Sequence, residues 1–287
     1  MALSLTMARQ RRTRSGGEWE VHMMFVRASR LRATALSMIM ALSACNMLAP
    51  PAKVTLANAA SRACTGDTRV RALTVNGQPA GDTPEQTQSI NENLSVRLDG
   101  NQYEIQRSDT VQGGQITLLT HIRPDGTVVD ANLSGSALGG DQLQQLSMTA
   151  AKTLYERAVM GRELRPGDNL YANVDMQDMV NSMMGAMALP PTIQIQMAGT
   201  VPYTGTTGDG ANRSFNFAGQ LHVTGGGAAN GQTIAVDFPM NATISIDATT
   251  GLMRATTTDG TMDLKVNGVT QTSMRITQNV TCSITTQ

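Results

Sequence analysis

Short, alternating apolar segments recur from residue 69 almost to the end of the chain, with turn chemistry between them, and nothing else in the sequence restricts the fold as much. Segments 69–75, 94–98, 102–107, 115–122 and 127–133 carry β-branched residues or apolar residues at every second position. That is the period of a strand with one buried face. Asp99-Gly100-Asn101 and Pro124-Asp125-Gly126 separate two pairs of these segments, since Pro sets φ and Gly accepts the positive φ of a tight turn. The second half repeats the pattern over 192–197, 213–223, 233–238, 242–246, 252–257, 261–266 and 271–284, after one more strand expected at 169–174. Gly208-Asp209-Gly210, Gly225-Gly226-Gly227, Asp247 to Gly251 and Asp259-Gly260 read as the intervening loops. No strand-to-helix phosphate turn and no spaced set of calcium ligands surrounds them.

The middle of the chain changes period. Asp141 can cap a helix in which Leu143, Leu146, Ala150, Leu154 and Ala158 share a face, ending before Pro166. Met176, Met179, Val180, Met183, Met184 and Met187 then form a second stripe at helical spacing, closed by Pro190-Pro191. The expected fold is α+β and mainly β. It has a large curved antiparallel sheet, as a half-barrel or two lobes, with one clear helix and a Met-rich helix in the middle.

Arg27, Arg30 and Arg32 precede an apolar run from Ala33 to Leu42 that ends in Leu42-Ser43-Ala44-Cys45. Basic region, short apolar region and cleavage site are the parts of a secretory signal, and the run is too short to cross a bilayer as a helix. The four residues at the cut resemble the lipobox of bacterial lipoproteins. The resemblance implies cleavage before Cys45 and lipid on its sulfur, and Asn46 in place of Asp implies sorting to the periplasmic face of the outer membrane. Ala57-Asn58-Ala59 offers the alternative of ordinary cleavage and a soluble periplasmic protein. The plan that follows is an upstream extension and signal over 1–44, a lipidated flexible tether over 45–66, rich in Ala and Pro, and a periplasmic β-rich domain over 67–287.

Cleavage before Cys45 leaves 243 residues with 15 basic and 20 acidic side chains, a mildly acidic body without the footprint of a nucleic-acid binder. Too few aromatic residues remain to support base or sugar stacking. Cys64 and Cys282 form an even pair in an oxidising compartment and are expected to bridge; two separate buried thiols are the alternative. His121 and His222 lie far apart and outside any metal motif. Ser134-Gly135-Ser136-Ala137-Leu138-Gly139 lacks the spacing of a nucleophile elbow, so no enzyme, cofactor or metal is expected.

Three readings compete for the methionine stripe: core filling, an adaptable lid over an apolar cavity, and soft coordination of Cu(I) by Met176, Met179 and Met183. At the level of fold alone, the layout is similar to the half-barrel carriers of the LolA and LolB lipoprotein-sorting family, which hold a lipid between a curved sheet and helices. The expected function is a membrane-tethered envelope lipoprotein without catalysis that binds a hydrophobic ligand. A structural or assembly protein docking on an envelope partner is the second expectation.

Overall fold

A computed structural model describes residues 52–111, 114–135, 147–148, 151, 154–172, 194–229 and 231–286. Most of them form one antiparallel sheet. The N-terminal half supplies β2 (Ala59–Val75), β3 (Gln78–Pro79), β4 (Gln86–Asp99), β5 (Gln102–Val111), β6 (Gly114–Ile122) and β7 (Val128–Gly135). The C-terminal half supplies β9 (Gln194–Thr200), β10 (Tyr203–Thr207), β11 (Ser214–Ala229), β12 (Gln232–Asp247), β13 (Met253–Val266) and β14 (Val269–Thr286). The main strand order is β10-β11-β12-β13-β14-β2-β4-β5-β6-β7, with β9 also on β11 and β3 also on β2.

Two meanders from opposite halves of the chain therefore meet where β14 pairs with β2, and the sheet stays open. A small second sheet joins β1 (Ala52–Lys53) to β8 (Glu163–Leu164), and Tyr155–Val159 form helix α1; Ser147, Met148 and Ala151 are helical as well. Turn chemistry sets the register. Asn76-Gly77 and Asn267-Gly268 adopt positive φ at both positions, joining β2 to β3 and β13 to β14, as a two-residue turn between twisted strands requires.

Several expectations need correction. Gly225-Gly226-Gly227 is not a loop: these residues lie inside β11, opposite Val236, Ala235 and Ile234. Asp259-Gly260 likewise lies inside β13, so that 252–257 and 261–266 belong to one strand, as 233–238 and 242–246 do in β12. Pairing on both sides outweighs the local turn preference of these residues. Of the strand expected at 169–174, residues 169–172 are described, and among them only Asn169 makes a bridge, to Pro202. The expected long helix is interrupted at Leu154, which is extended, with only Tyr155–Val159 helical after it. Leu154 and Ala158 are nonetheless buried, as the stripe requires.

Part of the segment expected as a tether over 45–66 is packed into the domain. Val54, Leu56, Ala60 and Cys64 are buried, and β2 already pairs from Ala59. Small residues there fit under the sheet's covering segments as well as they would suit a linker. Cys45 and the Met-rich segment lie outside the described residues.

The core has two clusters on one face of the sheet, here called the inner face. One gathers Phe215, Phe217, Ile244, Ile246, Val201 and Leu170; the other gathers Leu94, Val96, Ile105, Ile122, Leu154 and Leu252. Segments 52–57, 154–172, 201–203 and 248–252 cover them. Gly66 and Gly219 lie on this face at mid-strand. A Cβ there would sit 2.1 Å from the carbonyl oxygen of Asn279 or Thr200, so only glycine permits the close approach of neighbouring backbone. These two glycines fall close to the line where the covered, proximal half of the sheet gives way to its distal half.

Candidate functional site

The long strands carry their ladders well past the covered core. Alternation and register place successive apolar rows on the inner face of this distal half. The first row runs from Leu221 through Met240, Gly260 and Ile276 to Val70. The next sets Val223 opposite Phe238 and Met262 opposite Met274, and a third sets Val236 opposite Leu264. Ile234 faces Val266 near the tip, while Ile195 and Met197 of β9 face Gly225 and Val223 at the edge. Apart from Leu221, these apolar side chains are half-buried, in contrast to the fully buried proximal rows.

Charge is sharply divided between the two faces. No inner-face position of the described distal strands is charged. The outer face of the same strands holds Arg69, Arg71, His222, Asp237, Asp259, Asp263, Lys265 and Arg275. Ion pairs lace this outer face: Arg275 meets Asp259 through two bonds of 3.1 Å, and Asp237 takes His222 at 2.6 Å and Lys265 at 3.2 Å. The His222 bond, followed by the Lys265 bond, holds the Asp237 carboxyl below its ordinary range. An open groove of about 1030 Å³ lies here, lined by Gln220, His222, Asn241, Asp259, Thr261 and Arg275 among others.

A neutral polar row borders the apolar rows on the proximal side. Thr258, Gln278, Thr68 and Gln88 stand opposite one another across β13, β14, β2 and β4, and the Gln278 amide donates to the Thr68 hydroxyl at 3.4 Å. The row ends in a second open groove of about 800 Å³, lined by Thr68, Val70, Gln86, Thr87, Gln88, Ser89, Asn91 and Thr110. The groove exists because β5 leaves β4 at the Glu92–Asp109 pair. Residues 86–91 of β4 are thereby left, among the described residues, with β2 alone as ladder partner.

Beyond this row lies a buried ion network. The Arg62 guanidinium bonds both Glu92 and Glu156, all three nearly inaccessible, and Arg107 meets the other oxygen of Glu92 at 2.8 Å. Burial opposes the charge on Arg107, yet Glu92 and then Asp109 outweigh it and hold its pKa above the ordinary value. Asp109 is raised by burial, which Arg107 only partly offsets. The network ties α1 to β2 and β4 where the two core clusters adjoin. Arg62 Nε and Glu156 Oε2 remain without partners, the kind of cost a fixed buried pair incurs for a defined helix position.

The predicted disulfide is present. Cys64 and Cys282 face each other directly across β2 and β14, with Cα atoms 4.0 Å apart. His121 and His222 are not brought together. Each pairs with an aspartate across its own ladder, His121 with Asp130 at 2.6 Å on β6 and β7, both on the outer face. Among the described residues no group of three or more His, Cys, Asp or Glu side chains could hold a metal, and no helix is long and apolar enough to cross a membrane. Cys45 and the stripe from Met176 to Met187 lie outside the described residues and are not part of this geometry. Sequence reasoning missed the inner-face rows as a site, although the alternation Met262, Leu264, Val266 was there to be read. The neutral groove had no local signal, because it depends on where β5 departs.

No protein-family model matches the sequence, and no curated protein matches it. Among solved structures, the chain is similar to the crystal structure of Neisserial surface protein A at 6% identity, over 79% of this chain and 96% of that one. The TM-score of 0.19 is too low for this likeness to carry an argument about fold or role.

Proposed function

We propose that the protein is an envelope lipoprotein, tethered through Cys45 to the periplasmic face of the outer membrane, that holds a hydrophobic, acyl-chain ligand without catalysis. The single observation that carries the reading is the charge-free inner face of the distal strands. Its rows of Val, Ile, Leu, Met and Phe are half-buried, while every charge on those strands lies on the other face. The part of this apolar area that remains exposed is unfavourable in water, at roughly 25 cal/mol per Å², and an acyl chain on it removes that cost. The four methionines among these rows, Met197, Met240, Met262 and Met274, suit chains of varied shape because the thioether side chain is flexible and polarisable. The tether part of the proposal rests on the lipobox residues alone.

Two measurements test it. Protein extracted from membranes and examined by native mass spectrometry is expected to carry lipid on the inner face as well as a covalent diacylglycerol on Cys45. Recovery of lipid-free protein, with no uptake from vesicles, sinks the carrier reading. Failure of labelled palmitate to enter the wild-type chain, with entry equally absent from Cys45→Ser, sinks the anchor.

A further inference from the structure

The inner face is divided into an apolar field and a neutral polar border, and this division names a ligand class. We infer that the groove beside β4 takes the uncharged polar head of an acylglycerol, with the acyl chains lying along the distal rows; the inference rests on the acyl-binding reading above. On the inner side of the open β4 edge the groove is lined by Thr68, Val70, Gln86 and Gln88, while Thr87, Ser89, Asn91 and Thr110 line it from the outer side. Hydroxyls and amides of this kind both donate and accept, which suits glycerol hydroxyls and ester carbonyls, and they supply no cation for a phosphate. Val70 belongs both to the groove and to the first apolar row, opposite Ile276, so head site and chain site are continuous.

On the inner face the nearest charges point the same way; on the outer face Arg69 and Asp67, opposite Thr87 and Ser89, are committed to each other. The network beyond the groove sets two guanidiniums, Arg62 and Arg107, against three carboxylates, Glu92, Asp109 and Glu156. Its balance is negative, and both cations are already committed, so an anionic head gains nothing there and meets repulsion. The length also fits. From Thr258 in the polar row to Val266 at the tip, β13 runs eight residues, about 26 Å at the usual rise per strand residue. A chain that fills one leaflet of a bilayer needs about 15 Å, half the hydrocarbon thickness.

The test uses the full chain with Cys45→Ser, so that no covalent acyl group competes. Vesicles of phosphatidylcholine doped equally with dioleoylglycerol and dioleoylphosphatidylglycerol supply the lipids, and bound lipid is counted by native mass spectrometry. Dioleoylglycerol is expected to exceed dioleoylphosphatidylglycerol at least tenfold. Gln88→Lys, on an exposed position that leaves the circular dichroism spectrum unchanged, is expected to cut that ratio to below threefold by offering the phosphate a cation. Equal loading of the lipids with no effect of Gln88→Lys overturns the head-group assignment and leaves the acyl reading standing. A preference for the anionic lipid also overturns it, and the absence of any bound lipid removes both.

Discussion

Phe217 and Phe238 lie on adjacent strands, on the same inner face of the same sheet, and meet different surroundings. Phe217 in the proximal half is 1% exposed and packs at 5.5 Å against Tyr203, beneath Val201 and Leu170. Phe238 in the distal half is half-buried, flanked by Val223 across the ladder. Alternation gave both strands an apolar face. What separates them is cover, and cover comes from segments outside the large sheet: 52–57, α1, and the connections 160–172 and 248–252. A period of two specifies which side chains share a face and leaves open what will lie on it.

If the proximal half alone holds the fold together, changes there should cost stability and distal changes should cost ligand. The largest effect is expected at the seam of the two meanders. Replacing Cys64 and Cys282 together by Ser frees chain positions 218 apart and should lower stability by about 5 kcal/mol in the chain-entropy account. Urea unfolding of the variant beside oxidised wild type measures it, and a loss under 1 kcal/mol would mean that the β2–β14 ladder alone joins the meanders.

Next comes the phenylalanine pair. Phe217→Ala should cost about 4 kcal/mol, because it leaves a cavity in a closed core. Phe238→Ala should cost about 1 kcal/mol, since little area is withdrawn from water there, while reducing lipid uptake several-fold. Equal stability losses in the two variants would erase the distinction between the halves.

Glu156 sharpens the comparison from the covering side. Glu156→Gln should cost about 3 kcal/mol by leaving the buried Arg62 charge undercompensated, and it should leave lipid uptake unchanged. A loss of uptake without a loss of stability would instead place α1 at the ligand.

These contrasts also explain what could be read from the residues alone. Strand alternation, the Asp99-Gly100 and Pro124-Asp125-Gly126 turns and the Cys64–Cys282 pair were legible, because each depends on local period, local φ preference or a count in a known redox setting. Gly225-Gly226-Gly227 and Asp259-Gly260 misled, because their turn chemistry is overridden by partners on neighbouring strands that no local window contains. The Ala-rich stretch before Cys64 misled for a related reason: Ala60 is as suited to a tight core as to a linker. The ion network was illegible, since Arg62 finds Glu92 and Glu156 at separations of 30 and 94 residues. The neutral groove beside β4 was illegible too, being the product of one strand's departure from another.

The smallest expected effect belongs to the outer face, where both halves are solvated and should behave alike. His121, on the proximal half, has its pKa raised above the ordinary value, first by its hydrogen bond to Asp130, which outweighs the opposing effect of burial, and further by the Asp130 and Glu104 charges. A raised histidine stabilises the fold fully below its unfolded pKa, and the contribution is lost as pH rises through the folded value. Stability should therefore fall slightly from pH 6 to pH 8. Because the pair is a surface one, the change should stay below about 1 kcal/mol and shrink in high salt. Asp130→Asn should remove most of it, leaving the smaller part due to Glu104. A pH effect of several kcal/mol over this window, surviving Asp130→Asn, would mean that a buried group and not the outer face governs the response, and the equivalence of the two halves on that face would fail.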